Sequence, residues 1–146
     1  SVEGAAGVLC GSKRFGGKVG LKPRARIRAF TSIGSEPAIM LTGPALVTQK
    51  LLKRAGMTVN DIDLFEVNEA FASVVLRFMR AMDVPHDKVN VNGGAIAMSH
   101  PVGMSGARIV LHLANELKRR GGGVGAAALC GGGGQGDALI VRVPKA

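Results

Sequence analysis

Hydrophobic positions recur along the chain with two periods, and the switches between them divide it into elements. Ala25-Arg26-Ile27-Arg28-Ala29-Phe30 alternates apolar and basic side chains, which predicts a strand with one face turned inward. Gly34, Pro37, Gly43 and Pro44 punctuate the next stretch. Thr42 is placed to cap a helix beginning near Pro44, with Leu46, Leu51, Leu52 and Ala55 as its stripe, Lys53-Arg54 in the last turn and Gly56 as the stop. Asp61 to Val67 reads as a short strand, and Asn68 to about Met82 as a helix with Phe71, Val74 or Val75, Phe78 and Met82 on one face. Val89 to Val91 starts another strand. A loop ending in His100-Pro101 then leads into a helix from about Gly103 to Arg120, whose stripe includes Ala107, Val110, Ala114 and Leu117. Two closing strands, Gly125 to Leu129 and Ala138 to Val143, flank Cys130-Gly131-Gly132-Gly133-Gly134-Gln135-Gly136. At the front, Gly4 to Gly11 is small and apolar and reads as a strand, and Ser12 to Gly20 as a short helix weakened by Gly16-Gly17.

From Ala25 onward strands and helices alternate until the last two strands, which is the order of a layered α/β domain. The expected core is a mixed, mostly parallel sheet of five strands with helices on both faces. In such sheets ligands collect where strand ends run into loops. Asn68, His100 and Cys130 all belong to strand-exit segments, so parallel neighbouring strands would bring three distant polar side chains to one edge.

Composition narrows the functional classes. The 146 residues fit one domain, and no apolar run approaches the roughly 20 residues of a membrane span. The start, Ser1-Val2-Glu3-Gly4, has no basic segment followed by an apolar run, so cytoplasmic residence is the expectation. The net charge of +9 favours an anionic partner. With no Trp, no Tyr and five Phe, the stacking platforms of nucleic-acid binders are nearly missing. This implies a largely solvated basic surface, with a phosphate-bearing small molecule as the ligand class and neither nucleic acid nor membrane as partner. Glycine, 22 residues or about 15% against a usual ~7%, implies tight turns or backbone lying close to a ligand.

Cys130 opens a run of glycines, so its thiol borders backbone that no side chain shields, and such a loop can turn peptide N–H groups toward a developing oxyanion. Taken alone it also reads as a buried small residue at a strand end. His100, fixed in direction by Pro101, can take a proton from a thiol, or serve only as a helix-entry residue bonded to backbone. Asn68, followed by Glu69, reads either as a helix cap with a first-turn acid or as an amide holding a water or substrate oxygen. His86 and His112 read as structural or solvated, and Cys10 as packing. Gly131, Gly133 and Gly136 satisfy G-x-G-x-x-G, but a strand comes after it where a dinucleotide site needs a helix. The two Cys and three His lack metal-ligand spacing, so no metal site is expected.

Four segments together resemble the thiolases, the acetyl-CoA acetyltransferases and 3-ketoacyl-CoA thiolases. They are Asn68-Glu69-Ala70-Phe71-Ala72, Val89 through Ala97, Ser99-His100-Pro101 through Arg108, and Cys130 through Gly136, in family order and spacing. The resemblance covers the C-terminal half of a thiolase: residues 21–146 as the C-terminal domain, and residues 1–20 as the last strand and following short helix of the N-terminal half. It implies that His100 activates thiols, that Cys130 moves the proton at the substrate α-carbon, and that Asn68 holds a water forming one oxyanion hole with His100. It further implies that the Gly132 N–H contributes to a second hole, that Met40 lies near the acyl pocket, and that Phe71 packs behind the site. Coenzyme A and acyl-CoA enter as substrates with no covalently bound cofactor, and the family forms dimers or tetramers. Asn68 stands where ketoacyl synthases carry a second histidine. The nucleophilic cysteine of thiolases belongs to the N-terminal half, which is the implied partner, so the chain alone is expected to be inactive. Ser99 replaces the glycine that usually precedes His-Pro. That substitution and the missing nucleophile motivate a second reading, a non-catalytic subunit that binds CoA thioesters.

Overall fold

The computed structural model describes residues 2–145. A four-stranded mixed sheet lies between helices on its two faces, with strand order β1-β4-β3-β2. The strands are β1 (Arg26–Gly34), β2 (Leu64–Val67), β3 (Gly123–Gly131) and β4 (Gln135–Val143). The helices are α1 (Lys13–Lys18), α2 (Gly43–Ala55), α3 (Ala72–Met82), the single turn α4 (Ala95–Met98) and α5 (Val102–Arg119).

One face of the sheet packs Val47, Leu51 and Leu52 of α2 and Val74, Val75 and Phe78 of α3 against Phe65, Val67, Ala126, Ala128 and Ile140. The other packs Ile109, Leu113 and Leu117 of α5 against Leu64, Ala127 and Val141. The alanines of β3 let both layers approach closely, and a Cβ on Gly125 would stand 2.6 Å from Leu113 Cδ1. Among the described residues no helix is long and apolar enough to cross a membrane.

Helices on both faces match the expected layering, but the sheet differs in strand count and direction. Of the strand pairs in the sheet only β2 and β3 run parallel; β3–β4 and β1–β4 are antiparallel. The cause is local, since β3 and β4 are joined by Gly132-Gly133-Gly134, and a parallel crossover needs a dozen or more residues. Gly133 and Gly134 take left-handed backbone, φ 78° and 81°, which gives this turn its glycine requirement. The expected fifth strand, Val89 to Val91, reduces to isolated bridges. Asn90 sits at φ 49°, outside extended geometry, and its side chain substitutes for a ladder: Oδ1 accepts from Val67 N–H at 2.8 Å and Nδ2 donates to Val67 O at 2.9 Å.

The Gly4–Gly11 strand is not formed. That segment is non-regular and mostly exposed, with Leu9 83% exposed, because no strand among the described residues pairs with it. The short helix after it does form, capped by Ser12, whose Oγ accepts from Phe15 N–H. Helix α2 ends at Gly56, φ 65°, as expected, although the Thr42 side chain makes no cap bond and Leu46 faces solvent instead of the core. On α5 the fully buried apolar positions are Ile109, Leu113 and Leu117, so the apolar face is rotated from the anticipated one, and Ala107, Val110 and Ala114 are only half-buried.

Candidate active site

Asn68 and Cys130 leave the same end of the sheet on adjacent parallel strands. Val67 pairs with Ala128, the Asn68 N–H donates to Ala128 O at 2.9 Å, and Cys130 is the next-to-last residue of β3. Asn68 is not the helix cap that one sequence reading allowed, because α3 begins only at Ala72. The intervening turn is held by Glu69, whose Oε1 accepts from Asn90 Nδ2 at 3.0 Å and whose Oε2 accepts from Ile96 N–H at 2.8 Å. Its carboxylate fills the space beside Gly94 where a Cβ would stand, so a side chain there would displace Glu69 from these hydrogen bonds. Glu69 and Asn90 thus tie the strand exit carrying Asn68 to the loop that delivers His100.

His100 meets Asn68 at this edge, with Asn68 Nδ2 3.4 Å from His100 Nε2. On the far side of the ring, His100 Nδ1 lies 2.5 Å from Ser105 Oγ, and the Ser105 hydroxyl donates to Pro101 O at 3.0 Å. A Ser105 hydroxyl that donates to Pro101 O leaves its lone pair for His100 Nδ1–H. In the neutral ring Nε2 then carries the lone pair and faces Asn68, which is the tautomer a base at this edge needs. Asn68 is 1% exposed, and its Oδ1 is buried with no hydrogen-bond partner among the described residues.

Cys130 is half-buried, and burial pushes its thiol above the ordinary value, partly offset by a backbone hydrogen bond. Desolvation makes the thiolate a stronger base once formed, which suits a group that removes a weakly acidic proton. Among the described residues no hydrogen bond joins Cys130 to Asn68 or His100; the three share a sheet edge, where the Asn68 amide meets the His100 ring.

Gly132 lies in the exposed turn after Cys130. The segment leaving β1 packs on this turn: Ser35 N–H donates to Gly134 O at 2.6 Å, and a Cβ on Gly134 would stand 2.6 Å from Ser35 O. The same segment carries Met40, 41% exposed and at φ 43°, to this end of the sheet. Phe71, with extended backbone at φ −150° and ψ 157° just before α3, is 59% exposed.

Cys10 is exposed rather than packed in a strand. Among the described residues no group of three or more His, Cys, Asp or Glu could hold a metal ion.

Ser99, next to His100, has φ 77° and ψ 162°, a region that is essentially glycine-only and costs a side-chain-bearing residue about 1–3 kcal/mol. Ser99→Gly removes that strain and adds about 0.5–1 kcal/mol of chain entropy to overcome, so a net gain of about 1 kcal/mol is expected. Thermal unfolding should show Tm rising by about 2–4 °C; an unchanged or lower Tm would mean that the serine is not strained.

The chain is similar to known proteins over most of its length. The profile described as "Thiolase, C-terminal domain" matches residues 21–143. An acetyl-CoA acetyltransferase from Chromobacterium violaceum is 49% identical over 142 residues, which cover 97% of this chain and 36% of that protein. The 3-oxoadipyl-CoA/3-oxo-5,6-dehydrosuberyl-CoA thiolase of Escherichia coli is 45% identical over 142 residues, covering 96% of this chain and 35% of that one. The crystal structure of human mitochondrial 3-ketoacyl-CoA thiolase superposes with a TM-score of 0.88 at 46% identity, over 91% of this chain and 34% of that one, and one such structure is a complex with CoA. The chain therefore spans about a third of the length of the relatives it matches.

Proposed function

The chain belongs to the thiolase family, and on that premise we propose that it is the C-terminal half of a CoA-dependent acyltransferase that condenses acyl-CoA or cleaves 3-ketoacyl-CoA. The observation that carries this reading is the contact between the Asn68 amide and Nε2 of His100, at the strand end shared with Cys130. A thioester α-proton is only weakly acidic, so removing it takes a base beside the carbon and donors waiting for the enolate oxygen.

In the proposed cycle Cys130 exchanges the α-proton, and His100 takes the thiol proton of CoA or of the nucleophilic cysteine before it is acylated. Asn68 holds a water that completes one oxyanion hole with His100, and the Gly132 N–H serves the second. Met40 borders the acyl group. The N-terminal half supplies the cysteine that carries the acyl group, coenzyme A and acyl-CoA are the substrates, and the whole assembles as a dimer or tetramer. Support for a missing half comes from the length of the relatives and from the absence of any family nucleophile motif around Cys10.

The test is complementation. The chain alone should show no thiolysis of 3-ketoacyl-CoA, and co-expression with its own N-terminal half should restore it. A properly assembled complex that binds CoA but turns nothing over would instead favour the non-catalytic binding subunit.

A further inference from the structure

Glu66 is the third residue of β2, two before Asn68, and its side chain turns into α5 with 6% exposure. Arg108 and His112, one helical turn apart on α5, converge on one carboxylate oxygen: Arg108 Nη1 lies 3.6 Å and His112 Nδ1 3.5 Å from Glu66 Oε1. Glu66 Oε1, the three guanidinium nitrogens of Arg108 and His112 Nδ1 are all buried without a hydrogen-bond partner among the described residues. A buried ion pair lacking hydrogen bonds adds little stability, and apolar side chains of similar volume would serve the packing as well. Its position is more informative than its energy, because β2 delivers Asn68 and α5 begins at the exit of His100.

We propose that Glu66 and Arg108 are positioning residues, whose buried pair holds β2 against α5 and so sets the spacing of Asn68 and His100. This rests on the reading that those two residues act together. The charged and titratable groups facing Glu66 are Arg108, His112 and Glu116 from α5 and Glu69 from the turn after β2, while β3 presents only Ala127 at the paired position. Burial raises the Glu66 carboxyl to about 7, Arg108 opposes that rise, and Glu69 and Glu116 add to it. The carboxylate is therefore ionised, and the pair charged on both sides, only above about pH 7; below it the proton on Glu66 dissolves the pair.

The experiment is steady-state kinetics of the full-length enzyme from pH 6 to 8.5. E66Q should lower kcat tenfold or more at pH 8.5 with KM for CoA changed less than twofold, and the ratio of wild-type to E66Q kcat should fall toward one near pH 6. E66D and R108K, which keep the charges, should recover part of the loss. R108M should match E66Q, and the double variant should be no worse than either single one. A ratio constant across pH, a change in KM with kcat retained, or losses that multiply in the double variant would overturn the proposal. If E66Q does not fold, E66D and R108K carry the same test, their deficit against wild type being expected at pH 8.5 and not at pH 6. His100→Ala run alongside separates the two failures: an active His100→Ala sinks the reading of the site, whereas an inactive His100→Ala beside a wild-type-like E66Q sinks the pair alone.

Discussion

Replacing His100 by alanine in the full-length enzyme is expected to lower thiolysis by about 10²- to 10⁴-fold, the range a positioned general base contributes. The expectation rests on the placement of the ring. Ser105, itself bonded to Pro101 O, holds the ring at Nδ1, so Nε2 is presented to the site, 3.4 Å from the buried Asn68 amide. Alanine removes the base and takes away that amide's side-chain neighbour. The fold should survive, because the ring is half-buried and its hydrogen bonds go only to Ser105 and Asn68 among the described residues. The measurement is kcat for 3-ketoacyl-CoA cleavage with Tm recorded in parallel. A loss smaller than tenfold in a folded variant would remove His100 from the chemistry.

The second large effect is on stability. Gly136, the second residue of β4, and Gly43, the first of α2, lie backbone to backbone. A Cβ on Gly136 would stand 2.7 Å from Gly43 O and 2.8 Å from Gly43 C, and a Cβ on Gly43 would collide with Gln135 O. Neither neighbour is a flexible side chain, so the helix start and the strand start would have to separate. Overpacking typically costs about 1–3 kcal/mol and occasionally more, and a backbone collision belongs at the upper end. Gly136→Ala and Gly43→Ala should each cost about 3 kcal/mol, read as a large fall in Tm or denaturation midpoint. Gly103→Ala is the control: its Cβ meets nothing within 4 Å, and alanine favours a helix, so stability should hold or rise slightly. Equal behaviour of the three variants would contradict the close approach.

The site is more legible in the sequence than the sheet is. Periodicity alone puts Asn68, His100 and Cys130 on strand exits, and the structure puts them on one edge, with Asn68 and His100 in contact. Strand direction departs from the expectation, although the three-residue glycine connection already forbids a parallel crossover between the last two strands. The missing fifth strand is harder to foresee, because a single Asn90 side chain captures both backbone groups of Val67. Phe71 and Leu46 fit helical stripes by type, but the helix starts and rotations that expose them are set by tertiary contacts.

Several residues that build the site do not stand out in the sequence. Glu69 has the look of a first-turn acid, yet it bridges two loops and closes on Gly94. Ser105 gives a weak signal, a hydroxyl five residues after His100 and hence just inside the helix that begins there. Glu66 gives a stronger one, since a carboxylate in Leu64-Phe65-Glu66-Val67 interrupts an otherwise apolar strand and demands a buried cation, which Arg108 provides.

Solvent deuterium uptake at C2 of acetyl-CoA, followed by mass spectrometry with the full-length enzyme in heavy water, isolates the step assigned to Cys130 at this strand end. Wild type should exchange the α-protons, and a folded Cys130→Ala variant should lose at least about 100-fold of that rate. Exchange undiminished in Cys130→Ala would mean that another group moves the proton and that the shared edge of Asn68, His100 and Cys130 is not where the carbon chemistry happens.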